Sequence, residues 1–356
     1  MKKRIFFTAG PSQYYTTIPQ HLQAAMEAQI PSISHRGPEF AEVYQSAVSS
    51  IRQFLCIPES HHIFFFSSAT EIWERLIENC VEKKSFHFVN GVFGERFAWA
   101  AKMLQKEVIV HEQPFGTGFD FDSIEIPDDV ELVGLTHNES SNGFMLNMED
   151  VHALKDRYPQ MLITLDVVSS VPYPVIDYSK VDAVYFSVQK GFGLPAGLGV
   201  CILSPQAFEK SQTLYQKGVM VGTYHNFHEM AKYAAKSQTT ETPNVLNLYL
   251  LGKVTQDLVA RGLAQIRAET EQKAQLLYEF FDAHPRYKPF ISDPALRSQT
   301  LIVVKTDGNS KQIVDALLQK NMEIGYGYGE WKDQHIRIAN FPVHTLDDMK
   351  RLIAAI

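Results

Sequence analysis

The sequence predicts an α/β fold: a mostly parallel, seven-stranded sheet flanked by helices, followed by a smaller α+β unit at the C-terminus. Two observations lead there. Short apolar runs alternate with longer amphipathic ones up to about residue 244, the order expected of successive βα units. From Asn244 the pattern changes to one long helical stretch, and then to a few mixed strands and helices.

The strands are read from compact apolar runs at His62–Phe66, Phe86–Asn90, Val108–His111, Val130–Thr136, Met161–Val168, Ala183–Val188 and Gly199–Leu203. Helices between them are expected at Pro38–Phe54, Thr70–Glu82, Gly94–Gln105 and Met148–Tyr158. The later helical stretch reaches about Asp282 and breaks near Arg261-Gly262. Strands Leu301–Lys305 and His335–Ala339 and helices Ser310–Gln319 and Thr345–Ala355 follow. This divides the chain into a large domain, 1–245, and a connecting helix with a small domain, 246–356. Residues 1–15 are expected to pack on the small domain.

The chain has 356 residues, is 45% hydrophobic and carries a net charge of −7, so no basic excess advertises a nucleic acid or an acidic membrane. The opening MKKRIFF is too short an apolar run for a signal peptide, and no run is long enough to span a bilayer. Cys56, Cys80 and Cys201 show neither metal-site nor framework spacing, which points to a reduced, cytoplasmic chain. No metal site is expected.

Chemistry concentrates at strand ends, where parallel sheets gather their ligands. In SVQKGFGLPAG, Lys190 closes an apolar run and precedes a glycine-rich turn. A lone lysine after a strand is ordinarily a surface residue, but these flanks suit a buried, nucleophilic amine. Asp166 closes MLITLDVVSS, with Val168 two positions on. An acid that can hold a cationic ring nitrogen, beside an apolar residue against a ring face, is a coherent cofactor platform; a turn aspartate is the plainer alternative. The same glycines satisfy G-x-G-x-x-A (Gly191, Gly193, Ala196), yet Pro195 and GLGVCILS read as a strand rather than the helix a dinucleotide motif needs.

Weaker signals surround these two. FFFSSATEIWERL places Ser67, Ser68, Ala69 and Thr70 before a helix, which serves either as an anion cradle or as simple capping. Phe93 follows a strand and a glycine, as a stacking ring or as core. Thr136–Gly143, THNESSNG, offers Asn138 or Ser140 as a donor, or is an ordinary turn. Ser34-His35-Arg36 and Arg337 are candidate anion binders, with surface ion pairs as the alternative.

The order of these motifs resembles the class V aminotransferases of pyridoxal phosphate fold type I over nearly the whole chain. Within them it is most similar to the phosphoserine branch, with the alanine–glyoxylate and serine–pyruvate branches close behind. TAGPS (Thr8 to Ser12) and ISHR (Ile33 to Arg36) are similar to segments of the phosphoserine branch, and an S-H-R-like segment also occurs in some serine or aspartate aminotransferases of the class. The resemblance implies pyridoxal 5'-phosphate as cofactor, with Lys190 as the Schiff-base lysine and proton carrier and Asp166 on the ring nitrogen. It implies Phe93 and Val168 on the two ring faces, and Ser140 near the ring hydroxyl. It further implies Ser68, Ala69, Thr70 and Gln189 on the phosphate. Thr242 would reach the phosphate of a neighbouring subunit, hence a homodimer. Arg337 would grip the substrate carboxylate, and His35 and Arg36 a substrate phosphate across the dimer. The implied reaction is transamination between phosphoserine and 2-oxoglutarate, in serine biosynthesis.

The chain departs from that branch at Gly325 to Arg337, GYGYGEWKDQHIR, where a G-H-R segment is usual, and DVVSS is closer to alanine–glyoxylate enzymes. Two other readings use the same scaffold. A cysteine desulfurase-like lyase needs a reactive cysteine on a loop, and a non-catalytic relative would not need Lys190, Asp166 and Arg337 together.

Overall fold

The computed structural model describes residues 4–356. Strand β1 (Ile5–Phe7) leads to helices α1 (Ile18–Glu27) and α2 (Pro38–Leu55). Then come β2 (His62–Phe66), α3 (Ala69–Cys80), β3 (Lys84–Val89), α4 (Val92–Met103), β4 (Glu107–Glu112) and β5 (Leu132–Thr136). A short pair, β6 (Asn138–Glu139) and β7 (Phe144–Met145), precedes α5 (Met148–Arg157), β8 (Leu162–Asp166), β9 (Ala183–Ser187) and β10 (Gly199–Leu203). Helices α6 (Pro205–Gln216), α7 (Phe227–Ala234), α8 (Val245–Arg261) and α9 (Leu263–Ala283) follow. The chain ends with β11 (Lys288–Pro289), β12 (Leu301–Lys305), α10 (Ser310–Gln319), β13 (Met322–Tyr326), β14 (His335–Ala339) and α11 (Leu346–Ile353).

The central sheet has the order β2-β10-β9-β8-β5-β3-β4. Only β10 runs against its neighbours, so the sheet is mostly parallel, as predicted. Its inner strands such as β5, β8 and β9 read as near-continuous apolar runs because both faces are covered, while the edge strand β4 is partly exposed. Phe64, Phe66, Leu132, Leu162, Tyr185 and Cys201 pack toward α3 and α4. Alternate residues such as Phe65, Val133, Ile163, Val184 and Ile202 pack toward α2 and α8. β10 follows the Lys190 loop directly, so the G-x-G-x-x-A stretch opens no helix.

A second sheet, β1-β13-β14-β12-β11, carries α9, α10 and α11 on its own apolar core. β1 pairs in parallel with β13, Ile5 opposite Met322. The long helical stretch breaks at Gly262, whose φ of 90° lies where glycine is at ease. The expected strand Met161–Val168 stops early, at Asp166. There the carboxylate accepts the Val168 N–H at 2.8 Å and turns the chain aside. Helices α1, α6 and α7 and strand β13 were not expected from the sequence.

Candidate active site

The C-terminal ends of β5, β8 and β9 and the N-terminus of α3 enclose a cavity of about 120 Å³. Thr136, Asp166 and Tyr185 are register partners across the three strands and so form one row. The turn carrying Lys190 is closed by Gly193 N–H to Lys190 O (2.9 Å) and Leu194 N–H to Val188 O (3.1 Å). Gly191 permits that turn to lie on the Val171 turn: a Cβ there would stand 2.0 Å from Val171 O. Of the residues singled out from the sequence, Ala69, Thr70, Phe93, Asn138, Ser140, Asp166, Val168, Gln189 and Lys190 all line this cavity.

Lys190 and Asp166 are both buried. Burial lowers the lysine to about 8, and Arg337 pushes the same way while Asp166 and Glu139 oppose it. Burial raises the Asp166 carboxyl to about 6, against the Val168 N–H and Lys190. The amine thus gives up its proton far more readily than an ordinary lysine. The acid lacks a cation strong enough to restore its ordinary range. The Lys190 Nζ lies 5.6 Å from the Phe93 ring centroid.

At α3 the Ser68 hydroxyl accepts the Glu71 N–H at 3.2 Å, and the Ala69 N–H donates to Ser187 Oγ at 2.8 Å. The Ala69 and Glu71 N–H groups of this turn are therefore already engaged. What the turn offers an anion is mainly hydroxyls, those of Ser68 and exposed Thr70, together with the positive end of the helix.

Glu139, fully buried, joins the parts. Its carboxylate accepts from the Phe93 N–H (2.9 Å), the Gly94 N–H (3.2 Å), the Ser141 N–H (3.1 Å) and the Ser141 hydroxyl (2.6 Å). It therefore caps α4 and fixes Phe93 at the cavity wall. Arg337 on β14 donates through Nε to Tyr326 O (2.7 Å) and through a terminal nitrogen to Ser140 O (3.1 Å). Tyr328 lies between them, 5.5 Å from the Phe93 ring and 5.4 Å from the Arg337 guanidinium.

Thr242, His35 and Arg36 stand outside this cavity. Arg36 packs 4.7 Å over the Tyr233 ring and donates to Thr239 O (2.6 Å) and Thr240 O (3.2 Å). His35 meets Phe40 edge-on. The structure brings Arg36 beside the segment of Thr242 and brings neither to Lys190 of the same chain.

The cavity suits a planar, polar, anionic cofactor such as pyridoxal phosphate. Asn138 Oδ1 and Gln189 Oε1 are buried at its walls without a hydrogen-bond partner among the described residues, and buried polar atoms are normally satisfied. Among the described residues no His/Cys/Asp/Glu cluster could hold a metal ion.

A family model, aminotransferase class-V, matches residues 4–331. The chain belongs to the class-V aminotransferases. The phosphoserine aminotransferase of Rhodococcus opacus (strain B4) is 25% identical to it over 98% of this chain and 93% of that protein. That of Corynebacterium glutamicum (strain R) is 26% identical over 98% and 93%. A crystal structure of a phosphoserine aminotransferase from Cytophaga hutchinsonii is 44% identical, with a TM-score of 0.98 over 100% of this chain and 98% of that one. An alanine–glyoxylate aminotransferase from Nostoc, 24% identical with a TM-score of 0.85 over 100% and 94%, shares the fold.

Sequence reasoning passed over several residues of this aminotransferase. Glu139 lay in plain view inside THNESSNG, but its partners are 45 and 46 positions away. Trp73 follows Ala69 by one helical turn, so the i, i+4 rule would have found it. No cysteine of the aminotransferase lines the cavity; Cys80 and Cys201 are buried, and Cys56 is exposed elsewhere.

Proposed function

We propose that this aminotransferase is pyridoxal phosphate-dependent and exchanges the amino group between phosphoserine and 2-oxoglutarate, in serine biosynthesis. The observation that carries the reading is the burial of Lys190 and Asp166 in one cavity, each displaced from its ordinary protonation range. The name shared by the 44%-identical structure and the bacterial relatives supports the substrate.

Pyridoxal phosphate supplies, when bound, a reactive aldehyde carbon and an electron-withdrawing ring. Lys190, whose amine gives up its proton far more readily than an ordinary lysine, would hold that carbon and would carry the substrate's α-proton. Asp166 would keep the proton on the ring nitrogen. Phe93 and Val168 would cover the ring faces, and Ser140 would border the ring hydroxyl. Ser68, Ala69, Thr70 and Gln189 would hold the phosphate. Arg337, anchored by Tyr326 and Ser140, turns the rest of its fork to the substrate carboxylate.

Thr242 would complete the phosphate site of a second subunit, and His35 and Arg36 would meet the substrate's own phosphate there, making the enzyme a homodimer with shared sites. A large domain, 1–245, and a small one, 246–356, would then form the two walls of the cleft. Among the described residues no helix is long and apolar enough to cross a membrane, which fits the cytoplasmic setting we propose.

The test is a half-reaction panel on the cofactor-loaded enzyme. Phosphoserine and glutamate should bleach its visible absorbance rapidly. Faster bleaching by alanine or serine, with phosphoserine inert, overturns the substrate assignment.

A further inference from the structure

One cluster outside the cavity is not used by this chemistry. His225, only 5% exposed, sits just before α7 between two carboxylates. Its Nδ1 lies 2.5 Å from Glu71 Oε1, in the first turn of α3. Its Nε2 forms an ion pair with Glu241 at 3.3 Å. Beyond Glu71, the second carboxylate oxygen accepts the Ser67 N–H (3.0 Å) and hydroxyl (2.6 Å). Beyond Glu241, the carboxylate accepts the Thr240 hydroxyl (2.6 Å), and Arg36 holds the Thr239 and Thr240 carbonyls. The Phe66 and Tyr224 rings flank the imidazole, at 5.1 and 4.2 Å.

One imidazole therefore ties the turn that begins α3 to the segment ending at Thr242. We propose that His225 is a positioning residue that sets the cofactor's phosphate cradle by locking residues 239–242 onto the start of α3. The placement of Thr242 at a partner's phosphate rests on the function proposed above. Under that reading, one arm of His225 serves the site of its own subunit and the other arm serves the neighbour's site, so the two cradles are held in register.

The electrostatics favour this role. The charged groups facing His225 are Glu71 and, behind it, Arg75 on α3, with Glu241 on the opposite side; the Tyr224 phenol lies alongside. Burial pushes the imidazole down, but Glu241 and Glu71 outweigh it and raise it to about 9. A cation between two carboxylates prevents their mutual repulsion and screens both from an incoming phosphate dianion. A neutral residue there would leave two acids facing one another beside an anion site.

The test compares wild type with His225→Gln and His225→Asn as cofactor-loaded enzymes, without substrate. An amide on the longer stem reaches toward Glu241, and one on the shorter stem toward Glu71. Two quantities are read: the rate of pyridoxal phosphate release on dilution, and amide hydrogen exchange across residues 238–242. Both variants should release cofactor at least tenfold faster. His225→Asn, which gives up the Glu241 arm, should exchange residues 238–242 at least tenfold faster, and His225→Gln less so. Release and exchange within twofold of wild type in both variants overturns the proposal. Faster exchange with unchanged release also overturns it, since the segment would then be loosened without consequence for the cradle. If one variant fails to fold, the other decides. Because no substrate is present, failure here is distinct from failure of the phosphoserine reading.

Discussion

Gly10 lies against the stem of Lys190: a Cβ at Gly10 would stand 2.7 Å from Lys190 Cε and 3.2 Å from its Cγ. The φ of Gly10, +143°, is in addition a conformation that side chains resist. The Gly10→Ala variant should therefore displace the lysine. We expect a fall of at least tenfold in kcat and a loss of roughly 1–3 kcal/mol in stability, measured by steady-state transamination and thermal melting. Retention of full activity would show that the lysine stem has room to spare.

Lys190 should reveal its lowered pKa directly. In protein stripped of cofactor, the rate of labelling by an amine-reactive reagent should rise with pH through about 8 rather than through the ordinary lysine range. The linkage has a definite sign. The folded protein releases this proton more readily than the unfolded chain, so this residue's contribution to stability rises with pH between about 8 and the ordinary value. Lys190→Ala should abolish turnover by at least about 10²–10⁴-fold.

Glu139→Ala would strip the Phe93 and Gly94 N–H groups of their acceptor. An unsatisfied buried donor costs about 1–3 kcal/mol, so melting should shift down accordingly. Phe93 should lose its fixed place, and cofactor affinity should fall with it. A fluorescence titration with pyridoxal phosphate checks this, and unchanged affinity would detach Glu139 from the cofactor.

Arg337→Lys keeps the charge but loses the fork. If Arg337 grips the substrate carboxylate, kcat/KM should fall by roughly a hundred- to a thousandfold, about 3–4 kcal/mol, while cofactor affinity holds. A uniform loss of both would mean that the side chain serves mainly to tie β14 to Ser140.

His225 brings a pH limit. Its folded-state pKa is raised, so its contribution to stability is complete below the ordinary histidine value and is lost as pH rises through about 9. Glu71 acts at the other end: burial would raise it, but the His225 and Ser67 hydrogen bonds bring it to about 2. Its contribution is present above the ordinary glutamate value and lost as pH falls through about 2. Melting of wild type against His225→Gln should converge above pH 9 and diverge below it.

The sheet was legible because its inner strands are buried on both faces, which writes them as continuous apolar runs such as LITLD and GVCIL; the partly exposed edge strand β4 showed only through the short run VIV. Lys190 and Asp166 were legible because each ends such a run. β1 and β13 were not, since IFF is too short to signal a strand and MEIGY carries a glycine and an acid. Glu139 and His225 escaped for another reason. Glu139 works across 46 residues of chain and His225 across 154, and a local pattern carries no trace of a partner so distant.

The pairing of Ile5–Phe7 with Met322–Tyr326 bears on how the molecule is made. The residues just after that first strand also lie on the Lys190 turn, through Ser12 N–H to Gln189 O and Tyr15 N–H to Gly193 O. On the ribosome the first strand has no edge to join until residues more than 300 positions later have emerged. A chain arrested before β13 would hold the wall beside the lysine by those two bonds alone, with the strand ahead of it unpaired. That wall is thus fastened at its far end only once β13 has emerged.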